Sequence, residues 1–257
     1  MPSPSLAEVR AAGQPPEVFN RLNDEHWAGR AYMRRVSPGA TWIFARLGWP
    51  PNAVTAGFIA CGIAAGAVAA LGGVASAIAA AVLIQAYLLL DCADGELARW
   101  SGRTSVTGVY LDGVGHYLGE TALLAGLGIR AQGHLALAGG YVTAGLAAAV
   151  LAALVKAETD NVTVARAKTG LAGAHGDAAL APRTAGLARA RRLAAALRVH
   201  RAIQAVELSL LILLAAVIDA VHGGLTATRV LTAACLVIAV IMVPAHLVAI
   251  VASRRLR

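Results

Sequence analysis

Six apolar runs of span length dominate this chain, at about 53–72, 75–99, 106–129, 133–156, 203–221 and 229–252. Hydrocarbon offers no water to backbone N–H and C=O groups, so a run of roughly 17–25 apolar residues crosses it as a helix. The expected fold is an all-α integral membrane protein with six transmembrane helices. Composition agrees, with 58% hydrophobic and 14% charged residues and a mean hydropathy of +0.66, outside the range of soluble globular domains. Alanine and glycine pervade the runs, which permits close helix–helix approach in lipid. The first fifty residues carry no apolar h-region, so no cleavable signal peptide is expected.

Charge sets the expected orientation. All but two of the 22 Lys and Arg residues fall in the N-terminal segment, the 99–103 turn, the 156–201 connection and the C-terminus; Arg130 and Arg229 are the exceptions. The positive-inside rule then puts both termini and the 99–103 turn in the cytoplasm, in a multi-pass protein of the plasma (inner) membrane. The net charge of +8 reads as topology plus attraction to anionic lipid and phosphate, and nucleic acid is not an expected partner. Cys61, Cys92 and Cys235 have no ligand spacing and read as small core residues.

Two regions follow from this, an N-terminal interfacial segment at 1–51 and a membrane domain at 52–257. Residues 1–17, rich in Pro, Ser and Ala, are expected to be loosely held. Residues 18–48 interleave Phe19, Trp27, Tyr32, Trp42 and Phe44 with Arg21, Arg30, Arg34, Arg35 and Arg46, which suits one amphipathic helix in the interface. Pro50-Pro51-Asn52 ends it, with Asn52 as the expected N-cap of the first span. The first half of the 157–202 connection reads as a flexible loop, and 184–202 as a surface helix.

Where the second run meets the third, the chain reads Asp91-x-x-Asp94-Gly95-x-x-Ala98-Arg99, then eight residues, then Gly108-x-x-x-Asp112-x-x-x-His116. Asp91 and Asp94 share one helical face, as do Asp112 and His116. A turn at 101–105 lets the two helices run antiparallel, so the four side chains converge. Carboxylates beside a bilayer are costly and repel one another, and one or two Mg²⁺ or Mn²⁺ ions would make of them an oxygen-rich site able to hold a pyrophosphate. Salt bridges to Arg99 and Arg103 at a helix end are the plainer alternative. Gly95, Ala98 and Gly108 leave room for a ligand, and Arg99 offers a forked donor to phosphate.

This pattern resembles the signature of the CDP-alcohol phosphotransferases, with His116 where that family has a fourth aspartate; Pro51-Asn52-Ala53-Val54-Thr55 also looks like the family's start to its first span. The resemblance implies transfer of a substituted phosphate, usually phosphatidyl from CDP-diacylglycerol, to the hydroxyl of a second alcohol with release of CMP. It further implies Asp91, Asp94 and Asp112 as metal ligands, Gly95, Ala98, Arg99 and Gly108 around the cytidine-phosphate, and Asn52 and Thr55 beside it. A homodimer is implied as well. The family's fourth aspartate is the proposed base toward the acceptor. His116 in its place is a competent general base near neutral pH, a ligand suited to Mn²⁺ or Zn²⁺, or the mark of a repurposed site. Glu120, one turn further, can orient His116 or replace the missing carboxylate.

Basic residues after the fourth run suit an acceptor that carries its own phosphate, and Lys156, Arg198 and Arg201 are the candidates, though topology alone also accounts for them. Glu207, Gln85, Asp219 and His246 read as helix–helix hydrogen-bonding groups, with Glu207 also placed to orient an acceptor-binding arginine. The alternative function is a catalytically silent nucleotide- or lipid-binding protein of the same fold. A transporter is disfavoured, because charges at mid-span depth and paired broken helices are not evident. The orientation is testable: green fluorescent protein fused after Arg257 should fluoresce, and alkaline phosphatase fused after Gly133 should be active, with the reverse pattern overturning the assignment.

Overall fold

The computed structural model describes residues 4–16, 27–171, 199–253 and 255–256. Their helices are α1 (Leu6–Gly13), α2 (Arg34–Arg46), α3 (Pro51–Ala69), α4 (Gly73–Ser101), α5 (Val106–Gln132), α6 (Gly140–Lys168), α7 (Ala205–His222) and α8 (Thr226–Val251). A π-helical turn at Gly29–Met33 leads into α2, and a 3₁₀ turn at Val199–Ile203 precedes α7. Five helices (α3, α4, α6, α7 and α8) are long and apolar enough to cross a membrane. The remaining long helix, α5, packs against α3, α6 and α8, but Asp112, His116, Glu120 and its glycines dilute its apolar character. Val82, Val150, Leu214 and Ile241 on the other helices are each more than half exposed, a surface suited to lipid rather than water.

Glycine brings the central helices together. A Cβ at Gly66 would collide with the Ala122 carbonyl on α5, and one at Gly126 with the carbonyl of Gly66. At Gly62 it would lie 2.9 Å from the Gly119 Cα, and at Gly128 2.8 Å from the Gly145 Cα on α6. These are the small-residue seams by which helices pack when lipid removes any hydrophobic drive between them. At the end of the bundle away from the Asp-rich motif, buried polar side chains finish the turns. Arg130 donates to Gly73 O at 2.8 Å and Ser76 Oγ at 3.1 Å. Asp219 accepts from the Ala227 and Thr228 amides at 2.7 and 3.0 Å, capping α8.

The N-terminal expectation fails for residues 1–17 and holds for the described part of 18–48. Residues 6–13 form a helix held by a capping box, in which Ser5 Oγ accepts from the Glu8 amide and Glu8 accepts from the Ser5 amide. The Ser5-x-x-Glu8 spacing signalled this, and the Pro-, Ser- and Ala-rich composition obscured it. Of the expected 18–48 helix, residues 17–26 lie outside the described residues, and the rest is helical from 27 to 46, with a π-helical turn at Gly29–Met33 inside it. Pro38 sits inside α2 and cannot donate to the Arg34 carbonyl one turn back. Gln14 Nε2 takes that carbonyl instead, at 2.8 Å.

Gln14 also reaches Glu96, the first variable residue after Asp94-Gly95. Glu96 is 1% exposed; its Oε1 accepts from Gln14 Nε2 at 2.7 Å and Ser37 Oγ at 2.5 Å, and its Oε2 from Thr41 Oγ1 at 2.7 Å. Arg34 stands 3.7 Å away as the counter-charge. Arg99 Nε donates to Gly13 O at 2.7 Å, satisfying a carbonyl at the end of α1. One buried carboxylate thus ties α1 and α2 to the helix that carries Asp91 and Asp94.

Other boundaries shift for local reasons. The fourth run was expected at 133–156, yet α6 begins at Gly140, after Gly133 and Gly139 with φ of +91° and +142°. It then continues to Lys168, since nothing before Gly170 breaks it, so the first part of the expected loop is helical. Most of the expected 184–202 surface helix lies outside the described residues. Asn52 is not the N-cap of α3; Pro50 is, with Pro51 at the first helical position, where its fixed φ and missing N–H are tolerated.

Three substitutions test this packing and the Glu96 network. Gly66→Ala should cost about 1–3 kcal/mol in detergent thermal unfolding, because a backbone carbonyl blocks the added methyl. Gly57→Ala, where a Cβ finds Leu90 Cδ1 at 3.5 Å, should be near neutral. Glu96→Ala strands several buried donors and should cost about 3–5 kcal/mol, while opening α1 to limited proteolysis. Unchanged protease resistance would refute the Glu96 tie.

Candidate active site

The Asp-rich motif is built on a helical hairpin. α4 ends at a left-handed Gly102 with φ of +65°, and Ser105 caps α5 by accepting from the Gly108 amide at 3.0 Å. The start of α3 lies alongside. Between them opens a cleft of about 380 Å³ lined by Asn52, Thr55, Asp91, Asp94, Gly95, Ala98, Arg99, Gly108, Asp112 and His116, with Arg34 and Arg103 also on its wall. Its small residues leave little room for a side chain. A Cβ at Gly95 would sit 3.1 Å from the Arg99 guanidinium, which folds back across it, and one at Gly108 would sit 3.2 Å from Asn52 Oδ1.

The three aspartates and the histidine of the motif divide into two sets. Asp91, Asp112 and His116 bring their ligand atoms within 4.8 Å of one another. His116 Nε2 lies 3.4 Å from Asp91 Oδ1 and 3.7 Å from Asp112 Oδ1. Asp94 stands apart from that trio, buried, accepting from Thr55 Oγ1 at 2.6 Å. Thr55 is in turn within 3.2 Å of the Pro51 carbonyl, so the first turn of α3 orients Asp94. Two carboxylate oxygens and one imidazole nitrogen facing a common point are a donor set that fits a divalent cation.

Some residues singled out from sequence lie elsewhere. Lys156 is not on the cleft wall; its Nζ pairs with Glu120 Oε1 at 3.2 Å, so Glu120 faces α6. Arg201 lies in the 3₁₀ turn before α7, also away from the cleft wall, and Arg198 lies outside the described residues. Glu207 accepts from the Trp27 indole at 2.7 Å, Gln85 from the Tyr32 hydroxyl at 2.6 Å, and His246 Nε2 meets Thr159 Oγ1 at 2.9 Å. These three are helix–helix contacts of the plainer kind.

Sequence reasoning missed Tyr87, Arg34 and Glu96. Tyr87 was signalled only by its place one turn before Asp91, on the same face of α4. Its hydroxyl lies 3.0 Å from His116 Nδ1. Arg34 was read as one interfacial arginine among several, and its place on the cleft wall depends on a tertiary contact with Glu96.

No protein-family model matches the chain. It is 36% identical over 95 residues to the archaetidylinositol phosphate synthase of Aeropyrum pernix, a match covering 37% of this chain and 44% of that synthase. The match therefore spans less than half of that protein's length. The synthase is a CDP-alcohol phosphotransferase, so the resemblance first read from the Asp91–His116 motif extends to a curated relative.

Proposed function

We propose that the chain, related as it is to the CDP-alcohol phosphotransferases, moves a substituted phosphate from a CDP-linked alcohol to the hydroxyl of a second, polar alcohol and releases CMP, as a step of phospholipid synthesis. The observation that carries this reading is the convergence of the whole motif on one cleft, with Asp91, Asp112 and His116 gathered at one point of it. The donor is CDP-diacylglycerol or a lipid analogue of it. A phosphorylated inositol is the favoured acceptor, in line with the relative's name.

One or two Mg²⁺ or Mn²⁺ ions, held by Asp91, Asp112 and His116 with Asp94 beside them, would neutralise the pyrophosphate charge and polarise the phosphorus. The protein's own groups do the rest. Arg34, Arg99 and Arg103 offer donors to phosphate oxygens from the cleft wall. Thr55 keeps Asp94 turned inward, and Asn52, Gly95, Ala98 and Gly108 shape the nucleotide end. The Asp112–His116 pair takes the proton from the acceptor hydroxyl as its oxygen bonds to phosphorus and the P–O bond to CMP breaks. In this reading α5 is the sixth span, the cleft and both termini face the cytoplasm of the plasma membrane, and the protein is a homodimer.

The test is CMP release by purified protein in nanodiscs containing CDP-diacylglycerol, with Mg²⁺ or Mn²⁺ and a panel of polyols and polyol phosphates. Release should depend on the acceptor, be fastest with inositol phosphate, and fall about 100-fold or more in Asp94→Asn. No acceptor-dependent release from folded protein would favour a silent nucleotide- or lipid-binding protein instead.

A further inference from the structure

Imidazole has two nitrogens, and it can ligate a cation only if the correct one faces the site with its lone pair. His116 is held in a way that decides which nitrogen faces the site. Tyr87 is 3% exposed, and its hydroxyl meets Nδ1 at 3.0 Å. Phe58 packs against both rings, 4.5 Å from Tyr87 and 5.4 Å from His116 by centroid. The Tyr87 ring fits because residues 62 and 119 are glycine; a Cβ there would approach it to 3.0 and 2.7 Å. Fixed on these sides, the imidazole can present only Nε2 to Asp91 and Asp112.

Those two contacts, at 3.4 and 3.7 Å, are longer than a good N–H···O bond. They are the weak point if the imidazole merely bridges two carboxylates. If Nδ1–H donates to the Tyr87 oxygen, Nε2 instead offers its lone pair to the point that both carboxylates face. Metal-bound histidines are ordinarily supported in this way, the distal N–H held by an oxygen that fixes tautomer and ring plane. The donor set then contains a nitrogen. Mg²⁺ favours all-oxygen sites, whereas transition-metal cations accept imidazole, and Mn²⁺ among them shares with Mg²⁺ an affinity for carboxylates.

We propose that Tyr87 is a positioning residue that makes His116 a nitrogen ligand of the metal site, and that the site therefore selects Mn²⁺ over Mg²⁺. The proposal deepens the transferase reading and rests on it for the identity of the site. It also divides the labour in the Asp112–His116 pair. With Nε2 committed to the cation, Asp112, whose side chain is 46% exposed against 20% for Asp91, keeps an oxygen toward the cleft for the acceptor's proton.

The experiment is Mn²⁺ binding to the full chain in nanodiscs, followed by electron paramagnetic resonance, with pulsed detection of ¹⁴N coupling and with Mg²⁺ as competitor. The wild type should show ¹⁴N coupling from a directly bound imidazole. His116→Asp should abolish the coupling and lower the Mn²⁺-over-Mg²⁺ preference about 10-fold. Tyr87→Phe should weaken Mn²⁺ about 10-fold in the wild type and change little in the His116→Asp background, which a merely structural role would not predict. Bound Mn²⁺ without ¹⁴N coupling, no Mn²⁺ binding, or an equal Tyr87→Phe effect in both backgrounds would overturn the proposal. The wild-type spectrum decides even if a variant misfolds. Coupling without any CMP release would sink the transferase reading alone, and CMP release without coupling would sink only this inference.

Discussion

Backbone contact between α3 and α5 governs the cleft. In lipid there is no hydrophobic gain from joining two apolar helices, so their separation is set by how closely their surfaces can approach. Gly62, Gly66, Gly119 and Gly126 remove the side chains that would hold the two helices apart. The short Thr55–Asp94 hydrogen bond of 2.6 Å fixes the neighbouring α3–α4 pair at the same end. The site's chemistry resides in its carboxylates, and its geometry in the glycines one to four turns away.

The second constraint is electrostatic. Glu96 is a charged group with almost no access to water, and such a group persists only when its lone pairs are occupied and a counter-charge is near. Gln14, Ser37, Thr41 and Arg34 meet that need, and all four come from the segment before the first span. The N-terminal region is therefore part of the membrane domain's polar interior, and a boundary drawn at residue 51 divides a continuous network.

Much of this architecture was legible in the sequence because membrane helices and metal-site carboxylates leave strong signals. The apolar runs located every long helix to within a few residues at most ends, and the Asp91–His116 spacing located the cleft. What escaped was information carried by pairs far apart in the chain. Tyr87 and His116 are 29 residues apart, and neither announces the other. Glu96 looked like filler inside a motif until Gln14, 82 residues earlier, was placed against it. Helix ends failed where termination depends on a left-handed glycine rather than on polarity, as at Gly139 and Gly170. The pairing of Glu120 with Lys156 on α6 was likewise hidden, because those residues are far apart in the chain.

The Pro38 interruption bears on the order in which the chain matures. During synthesis α1 and α2 emerge first, yet the Arg34 carbonyl freed by Pro38 and the Gln14 amide that takes it are anchored by a glutamate that emerges much later. Until α4 has entered the bilayer, the leading segment has no acid to close upon, and its polar groups remain hydrated at the surface. Docking of α1 and α2 thus waits on α4, and the cleft wall that bears Arg34 is completed only once that helix is in place.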